Sequence, residues 1–132
     1  VYGMSRILLD TNVFMWMMNY PLTQLPSAVL EVITSQDVQL CVSVATPWEM
    51  AIKVSIGKLH LGKSIQEIMR GYEQLLEFLP ITAKYLATVE TLPLHHRDPF
   101  DRIIIAQALT ERIPIISSDA AFDGYGVQRM WE

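Results

Sequence analysis

Cysteine is almost absent from this sequence, since Cys41 is the only one among 132 residues. A single cysteine excludes an intramolecular disulfide and a cysteine-based metal site. Cys41 lies in an apolar run that we expect to form a buried strand. This pattern fits a protein of the reducing cytoplasm.

Long apolar runs and a secretory leader are missing as well. The longest unbroken apolar stretch near the start, residues 13–18, has six members, whereas a membrane-spanning helix needs about 18. No charged start is followed by an apolar segment and a small-residue cleavage site. We therefore predict a soluble protein without membrane association, in which residues 1–3, before Met4, are an expression remnant.

Positive charge is scarce. Lys and Arg number 10 against 14 Asp and Glu, which gives a formal net charge of −4. This balance argues against a broad basic surface for nucleic acid, although it does not exclude an enzyme whose own site is acidic. Hydrophobic residues, by contrast, make up 51% of the chain. Either a rich core or an apolar surface covered by a partner or a second copy would explain that share.

The length is typical of one compact domain, and we predict a single domain over residues 4–132. Helical patterns alternate with strands; one begins with the capping box of Ser64 and Glu67 and is expected to end near Pro80. This alternation predicts an α/β fold, a three-layer α/β/α sandwich around a central, mainly parallel sheet. Short apolar runs predict the strands at residues 7–9, 40–44, 114–117 and 127–129.

Four acidic residues stand where predicted strands end or predicted helices begin. Asp10 and Asp119 follow closely after strands, and Glu49 and Asp101 lie in the first turns of helices. Ligand sites in parallel sheets form beyond the carboxyl ends of the strands, where the following helices also begin. We therefore expect the four carboxylates to converge on one edge of the sheet.

Such a group of carboxylates predicts a cation site, because acids in one pocket repel each other unless cations neutralise them. Oxygen ligands, without cysteine and without a histidine at an obvious ligand spacing, select Mg²⁺ or Mn²⁺ over zinc. An ion held by carboxylates, with positions open for water and phosphate, supports displacement at phosphorus. Hydrolysis of a phosphodiester is the chemistry that this pattern indicates.

Each acid also has a purely structural explanation, and the residues alone leave both explanations open. Glu49 would complete a capping box with Thr46. Asp101 would face the positive end of its helix while Asp98 caps it. The other two acids are acceptable as ordinary turn residues, since Asp tolerates tight turns.

Four blocks in order along the chain carry a family resemblance. They resemble the PIN domains, and among these the VapC-type toxins of VapBC toxin–antitoxin pairs. The resemblance covers about residues 6–127 and implies the three-layer fold, dependence on Mg²⁺ or Mn²⁺, and endonucleolytic cleavage of RNA. The blocks are Leu8-Leu9-Asp10-Thr11-Asn12-Val13; Trp48-Glu49-Met50-Ala51-Ile52-Lys53 with Gly57-Lys58-Leu59; Arg97-Asp98-Pro99-Phe100-Asp101-Arg102 leading into Ile105-Ala106-Gln107-Ala108; and Ile116-Ser117-Ser118-Asp119 with Phe122.

The resemblance also implies a catalytic and metal-binding set, namely Asp10, Glu49, Asp101 and Asp119. Asp10 and Asp101 would hold the central metal. Glu49 and Asp119 would bind it directly or through water and orient the attacking hydroxide. The last block departs from many relatives, which have Thr where Ser117 stands two residues before the acid.

Other polar residues near the blocks are candidates for supporting roles. The adjacent His95 and His96 suit RNA contact, or a neutral surface role, but not joint metal binding. Four residues are candidates for positioning a ligand or a water: Thr11, Asp98, Ser118 and Asp123, of which Asp98 is better explained as a helix cap. Four basic residues are candidates for contacts with RNA phosphates: Lys53, Lys58, Arg97 and Arg102.

Protein partners follow from the same resemblance. A cognate antitoxin would cover the acidic site, and Trp16, Met17 and Met18 are expected to be exposed for that contact, since Met-rich patches adapt readily to partners. Packing into the core is the alternative for at least one of the three. Homodimerisation fits both the family and the apolar share of the chain.

Three rival functions are compatible with part of the pattern. A phosphatase of the haloacid dehalogenase type also has an Asp after its first strand, but it needs a second Asp two residues on, where this chain has Asn12. A non-catalytic binding module of the same fold would leave the acids unused, and the presence of all four argues against it. Cleavage of DNA by the same metal chemistry is the third, and the sequence does not exclude it.

Overall fold

The computed structural model describes residues 5–18 and 24–132; the expression remnant predicted at residues 1–3 lies outside them. The strands are β1 (Ser5–Leu9), β2 (Val38–Ser43), β3 (Leu76–Leu79), β4 (Ile115–Ile116) and β5 (Arg129–Met130). They form one parallel sheet in the order β3-β2-β1-β4-β5. The helices are α1 (Thr11–Met18), α2 (Ser27–Thr34), α3 (Ala45–Ser55), α4 (Ile65–Tyr72), α5 (Ala83–Thr91) and α6 (Pro99–Glu111), and a 3₁₀ turn (Ala120–Tyr125) lies between β4 and β5.

Two apolar cores lie on opposite faces of the sheet. Successive side chains of a strand point to opposite faces, and in β1 Leu8 packs with Tyr85 of α5 and with α6. Leu9, the next residue, packs with Phe14 of α1 and Val29 of α2. Because the second half of β1 is covered on both faces, Ile7-Leu8-Leu9 is apolar without alternation. The predicted three-layer α/β/α sandwich around a parallel sheet is confirmed.

Strand β3 replaces the second half of a predicted helix. The capping box at the start of α4 is confirmed: Ser64 Oγ accepts from the N–H of Glu67, and the Glu67 carboxylate accepts from the N–H of Ser64, both at 3.2 Å. Helix α4 ends at Tyr72, however, and the predicted continuation beyond it is wrong. Leu76 and Leu79 instead enter opposite cores, and the segment pairs with the free edge of β2.

Helix α3 begins earlier than predicted and without a side-chain cap. Thr46 shares a hydrogen bond of 2.9 Å with the hydroxyl of Thr11, since both side chains are buried where α1 and α3 begin. Glu49 pairs with Lys53, one turn further along the helix. The predicted capping box of Thr46 and Glu49 is therefore wrong.

The end of the chain is close to the prediction. Asp98 caps α6 as predicted, because its Oδ1 accepts from the N–H groups of Phe100 at 2.8 Å and Asp101 at 3.1 Å. The last strand, β5, lies later than the strand predicted at 127–129, since the 3₁₀ turn extends to Tyr125. In the described part of the chain, no helix combines the length and the apolar character that crossing a bilayer requires.

The topology decides which residues meet at the carboxyl edge of the sheet. β1 pairs in parallel with both β2 and β4. Asp10 follows β1 directly, and Asp119 follows β4 after two serines. Helix α3 starts at the same edge, because it follows β2 after one residue. Side chains that are far apart in sequence are thereby brought to one rim.

Candidate metal centre

A polar pocket of about 230 Å³ opens at this edge, and all four predicted acids line it. They come from four separate segments of the chain, as the resemblance implied. The residues that line the pocket are Asp10, Thr11, Asn12, Glu49, Lys53, Asp98, Asp101, Asp119 and Phe122. A larger groove of about 570 Å³, lined by Met18 and by residues of α4 and the segment before it, lies elsewhere and contains one acid, Glu67.

Asp10 is the most deeply placed of the acids, with 5% of its surface exposed. It joins β1 to α1, and its Oδ1 accepts from the N–H of Val13 at 2.9 Å. Burial raises the pKa of this carboxyl, and hydrogen bonds from the Ser117 side chain and from backbone N–H groups oppose that rise. The Ser117 hydroxyl also accepts from the N–H of Asp119 at 3.0 Å, so it links the acids that follow β1 and β4.

Asp101 stands in the first turn of α6, where burial and neighbouring charges disfavour its ionised form. Burial raises its pKa from 3.8 to about 7, and the negative charges of Asp98, Asp10 and Glu49 add to the rise, against an opposing effect of His96. The positive end of α6 is present at this position but does not outweigh these effects. A cation bound beside this carboxyl would favour its ionised form.

Glu49 reaches the pocket from the first half of α3. Its Oε2 lies 3.1 Å from Nζ of Lys53, and 14% of its side chain is exposed. The hydrogen bond between Thr11 and Thr46 holds the starts of α1 and α3 together beside it. Asp10, directly before α1, and Glu49, on α3, are thereby kept in fixed relation.

Asp119 is the most exposed of the four, with 44% of its side chain accessible. Its Oδ1 caps the 3₁₀ turn by accepting from the N–H of Ala121 at 2.9 Å. Its Oδ2 lies 3.4 Å from Nε2 of His96, and the same nitrogen lies 3.1 Å from Oδ2 of Asp101. His96 therefore bridges two of the predicted ligands.

The residues predicted to support the site divide into two groups. Thr11 and Asp98 line the pocket. Ser118 is exposed at the end of β4, and Asp123 lies outside the pocket, where both its oxygens accept from Arg129, at 2.8 and 3.1 Å. Asp123 belongs to a surface ion pair because the 3₁₀ turn directs it away from Asp119.

The four basic candidates also differ. Lys53 lines the pocket, whereas Lys58 and Arg97 are exposed side chains on the segments that follow α3 and precede α6. Arg102 donates to the carbonyl oxygens of Leu92 at 3.4 Å and Pro93 at 2.9 Å. Its guanidinium is engaged in holding the loop between α5 and α6, which favours a structural role over contact with phosphate.

Sequence reasoning missed the positions of His96 and Ser117. His96 was expected to be a surface residue, yet it bridges Asp101 and Asp119. Its closeness to the Asp98–Asp101 block was the available signal. Ser117 was noted only as a departure from the family. Its side chain is fully buried at the end of β4, and a buried polar group usually has a hydrogen-bonding role.

The helix α1 residues proposed for partner contact are less exposed than expected. Trp16, Met17 and Met18 are all half-buried and pack against the core on the α1 side of the sheet. The ring of Trp16 lies 5.7 Å from that of Trp131. Each of these side chains is therefore partly packed into the core, as the alternative explanation stated, and partly exposed.

The donor set of the pocket fits a divalent ion that prefers oxygen. Five carboxylates line it, those of Asp10, Glu49, Asp98, Asp101 and Asp119, and Lys53 is the one cationic side chain among the residues that line it. Oxygen-rich sites with room for water suit Mg²⁺ and Mn²⁺. The raised pKa values of Asp10 and Asp101 point the same way, because a bound cation would stabilise both charges.

Comparison with known proteins gives one family match. The family model described as PIN domain matches residues 7–127, nearly the whole chain. A search of curated protein sequences found none that matches this chain.

Several solved structures share the fold. VapBC2 from Rickettsia felis, bound to a DNA fragment from its promoter, has a TM-score of 0.71 at 14% identity, with 96% of this chain and 99% of that chain covered. FitAcB from Neisseria gonorrhoeae gives 0.66 at 23% identity, with 94% and 96% covered. VapBC-1 from nontypeable Haemophilus influenzae gives 0.67 at 19% identity, with 95% and 96% covered.

Proposed function

Since the chain belongs to the PIN-domain family, we propose that it is a divalent-metal-dependent nuclease that hydrolyses phosphodiester bonds of RNA. The observation that carries the proposal is the pocket in which Asp10, Glu49, Asp101 and Asp119 meet. These carboxylates come from distant segments, and the pKa of one of them is raised to about 7. Such a concentration of uncompensated negative charge is costly for the fold, which a structural role alone does not explain.

Each side chain of the pocket has a proposed role that depends on its position. Asp10 and Asp101 would hold Mg²⁺ or Mn²⁺, with Glu49 and Asp119 as further ligands or as acceptors that orient a water. When bound, the ion supplies the positive charge that activates water near neutral pH and neutralises the phosphate. Lys53, which pairs with Glu49 across one helical turn and lines the pocket, would contact a phosphate oxygen.

The test is cleavage of labelled single-stranded RNA and of tRNA by the purified protein, freed of any copurified partner, with and without Mn²⁺. We expect cleavage that requires the metal. The Asp101→Asn variant should lose about 100-fold or more, because loss of a ligand costs at least as much as loss of an outer hydrogen-bond partner. Asp37→Asn, which removes an exposed acid in the turn before β2, is the matched control and should cleave like the wild type.

Other outcomes separate the rival functions. Preferential cleavage of single-stranded DNA in the same assay would favour a DNA-directed nuclease that uses the same pocket. Absence of cleavage with every metal, together with absence of metal binding by calorimetry, would favour a non-catalytic binding module. Equal activity of the Asp101→Asn variant would contradict the assignment of the site.

We further propose that the chain is the toxin of a type II toxin–antitoxin pair. Support comes from the likeness in fold to VapBC and FitAcB structures over nearly the whole length of each chain. The proposed partners are a cognate antitoxin that covers the pocket and a second copy of the chain. Expression of the chain alone in a bacterial host should arrest growth, and expression of the Asp101→Asn variant should not.

A further inference from the structure

His96 invites assignment as a third metal ligand beside Asp101 and Asp119. One donor atom from each of the three residues lies within 4.8 Å of the others. The imidazole is held in the loop between α5 and α6, with 20% of its side chain exposed. Ligation would require that Nε2, the nitrogen that faces both carboxylates, has a free lone pair.

The other ring nitrogen decides where the proton lies. Nδ1 of His96 accepts a hydrogen bond of 3.2 Å from the backbone N–H of Asp98. A backbone amide is a donor only, so Nδ1 must present its lone pair, and the neutral ring then has its proton on Nε2. That proton points at Oδ2 of Asp101, 3.1 Å away, and at Oδ2 of Asp119, 3.4 Å away.

We propose that His96 is a positioning residue that donates its Nε2–H to Asp101 and Asp119 and stays outside the coordination sphere of the metal. Ligation through Nε2 would move the proton to Nδ1, where it would meet the N–H of Asp98. The ring therefore serves the site as a donor to two ligands. This inference rests on the proposed function, because it assigns a role beside the metal proposed for the pocket.

The surroundings of His96 fix the ring in this role. Its backbone N–H donates to Oη of Tyr125 at 2.6 Å, and its carbonyl oxygen accepts from Nη1 of Arg102 at 3.3 Å. The ring packs edge-to-face on Phe122, with centroids 5.9 Å apart. A ring flip that turned Nδ1 towards the two carboxylates would break the contact with Asp98 and disturb that with Phe122.

The His96 bridge between Asp101 and Asp119 has a structural consequence for the site. Asp101 and Asp119 belong to different elements, and each carboxylate offers about four lone-pair positions. One N–H shared between them sets their separation and leaves the remaining positions for an ion. Hydrogen-bonded outer partners of this kind usually change metal affinity by about 10- to 100-fold when they are removed.

Nuclear magnetic resonance of ¹⁵N-labelled protein tests the proton position directly. Long-range ¹H–¹⁵N correlation spectra distinguish a protonated from an unprotonated ring nitrogen, and the His96→Gln variant assigns the signals. We expect Nε2 to carry the proton both without metal and after addition of Mg²⁺. A proton on Nδ1 in either state, or an Nε2 signal shifted by direct coordination to Zn²⁺, would overturn the inference.

Calorimetric titration with Mg²⁺ and Zn²⁺ gives a second readout. His96→Phe keeps the ring and removes the donor, so affinity should fall about 10-fold, by a similar factor for both ions. His96→Gln retains an N–H donor and should restore part of the loss. His95→Gln, at the exposed neighbouring position, is the matched control and should bind like the wild type.

The outcomes separate this inference from the proposed function. A loss in His96→Phe that is far larger for Zn²⁺ than for Mg²⁺ would identify a nitrogen ligand and overturn the positioning role. Unchanged affinity for both ions in a folded His96→Phe protein would overturn it too. Absence of any metal binding by the wild type would overturn the proposed function, whereas binding together with Nε2 ligation would overturn only the inference.

Discussion

At the scale of single residues, the pocket is defined by carboxylates whose ionised forms are energetically unfavourable. Asp10 is almost fully buried, and Asp101 stands near three other acids, so burial and repulsion raise the pKa of both. Neighbouring groups in the fold partly oppose these pKa shifts. The Ser117 hydroxyl and backbone N–H groups favour the charged form of Asp10, and His96 favours that of Asp101.

The raised pKa of Asp101 predicts that metal affinity depends on pH. The metal binds the ionised carboxylate, so affinity should rise about 10-fold for each pH unit up to about 7 and level off above it. Asp10, whose pKa is also raised, adds to this trend. Calorimetric titration with Mn²⁺ between pH 5.5 and 8 measures it. A flat profile would contradict the prediction, and the Asp37→Asn control should retain the full slope.

The same shift predicts how the metal-free protein responds to pH. The folded-state pKa of Asp101 lies above its ordinary value, so its contribution to stability is complete below about 4 and is lost as pH rises through about 7. Asp101→Asn should therefore raise the melting temperature at pH 8, by about 3–6 °C for a gain on the order of 1 kcal/mol. At pH 4 the two proteins should melt together in metal-free buffer. A variant that melts lower than the wild type at pH 8 would contradict this.

At the scale of elements, short polar links hold the two sides of the pocket. The hydroxyls of Thr11 and Thr46, 2.9 Å apart and buried, join the starts of α1 and α3. The guanidinium of Arg102 ties the loop that carries His96 to α6 through its bonds to backbone carbonyls. Each link joins two elements that contribute acids or their partners.

The threonine pair predicts a measurable coupling. Thr11→Val or Thr46→Val leaves the remaining hydroxyl buried without a partner, at a cost of about 1–3 kcal/mol. The double variant removes both polar groups, so it should cost less than the sum, with a coupling energy of about 1 kcal/mol or more. Urea denaturation of all four proteins measures this. Additive losses would show that the two hydroxyls act independently.

A second link lies at the opposite, amino-terminal edge of the sheet. Glu111 at the end of α6 accepts from Arg6 of β1 at 3.1 Å, from Tyr85 of α5 at 2.9 Å, and lies 2.8 Å from Lys84. These partners, Lys84 first, lower the pKa of Glu111 to about 2. The network fastens α5 and α6 to the first strand.

This network predicts a stability difference that disappears in acid. A depressed pKa stabilises the fold above the ordinary value of 4.5, and the contribution is lost as pH falls through about 2. Glu111→Gln should therefore lower the melting temperature at pH 7 and approach the wild type near pH 2. The loss should be on the order of 1 kcal/mol, since Arg6 and Lys84 are partly exposed. The exposed Glu90→Gln is the matched control.

Much of the order of elements could be predicted, because apolar strands and capping residues are local signals. The four acids could be placed at one edge for the same reason, since each adjoins such an element. Strand β3 could not, because Leu76 and Leu79 suit a helix as well as a strand and only the free edge of β2 decides between them. The role of His96 depends on a loop that folds back onto α6, and closeness in sequence to the Asp98–Asp101 block was the only local indication of it.

At the scale of the whole molecule, an apolar stripe runs along the exposed side of α3. Trp48, Ile52 and Ile56 stand one turn apart and are 54%, 38% and 59% exposed. Leu86 of α5, 53% exposed, lies beside Trp48 at a shallow apolar groove of about 200 Å³. Exposed apolar side chains in such a row are typical of surfaces that bind another protein.

The stripe predicts where a homodimer would form. A charge in a buried apolar interface is strongly unfavourable, so Ile52→Lys combined with Ile56→Lys should convert a dimer to a monomer at micromolar concentration. Size-exclusion chromatography with light scattering measures the mass. The exposed Leu75→Lys, in the turn between α4 and β3, is the control. An unchanged mass of a dimeric double variant would place the interface elsewhere.

The neighbouring positions of β1 and β4 in the sheet have a consequence for the order in which the pocket is assembled. Three of the four acids are present once residue 101 has been synthesised, yet the rim stays open until β4 pairs with β1 and brings Ser117 and Asp119 into place. A growing chain on the ribosome therefore contains three of the acids before the fourth has joined them. The pocket is complete only after residue 119 has left the ribosome and β4 has joined the sheet.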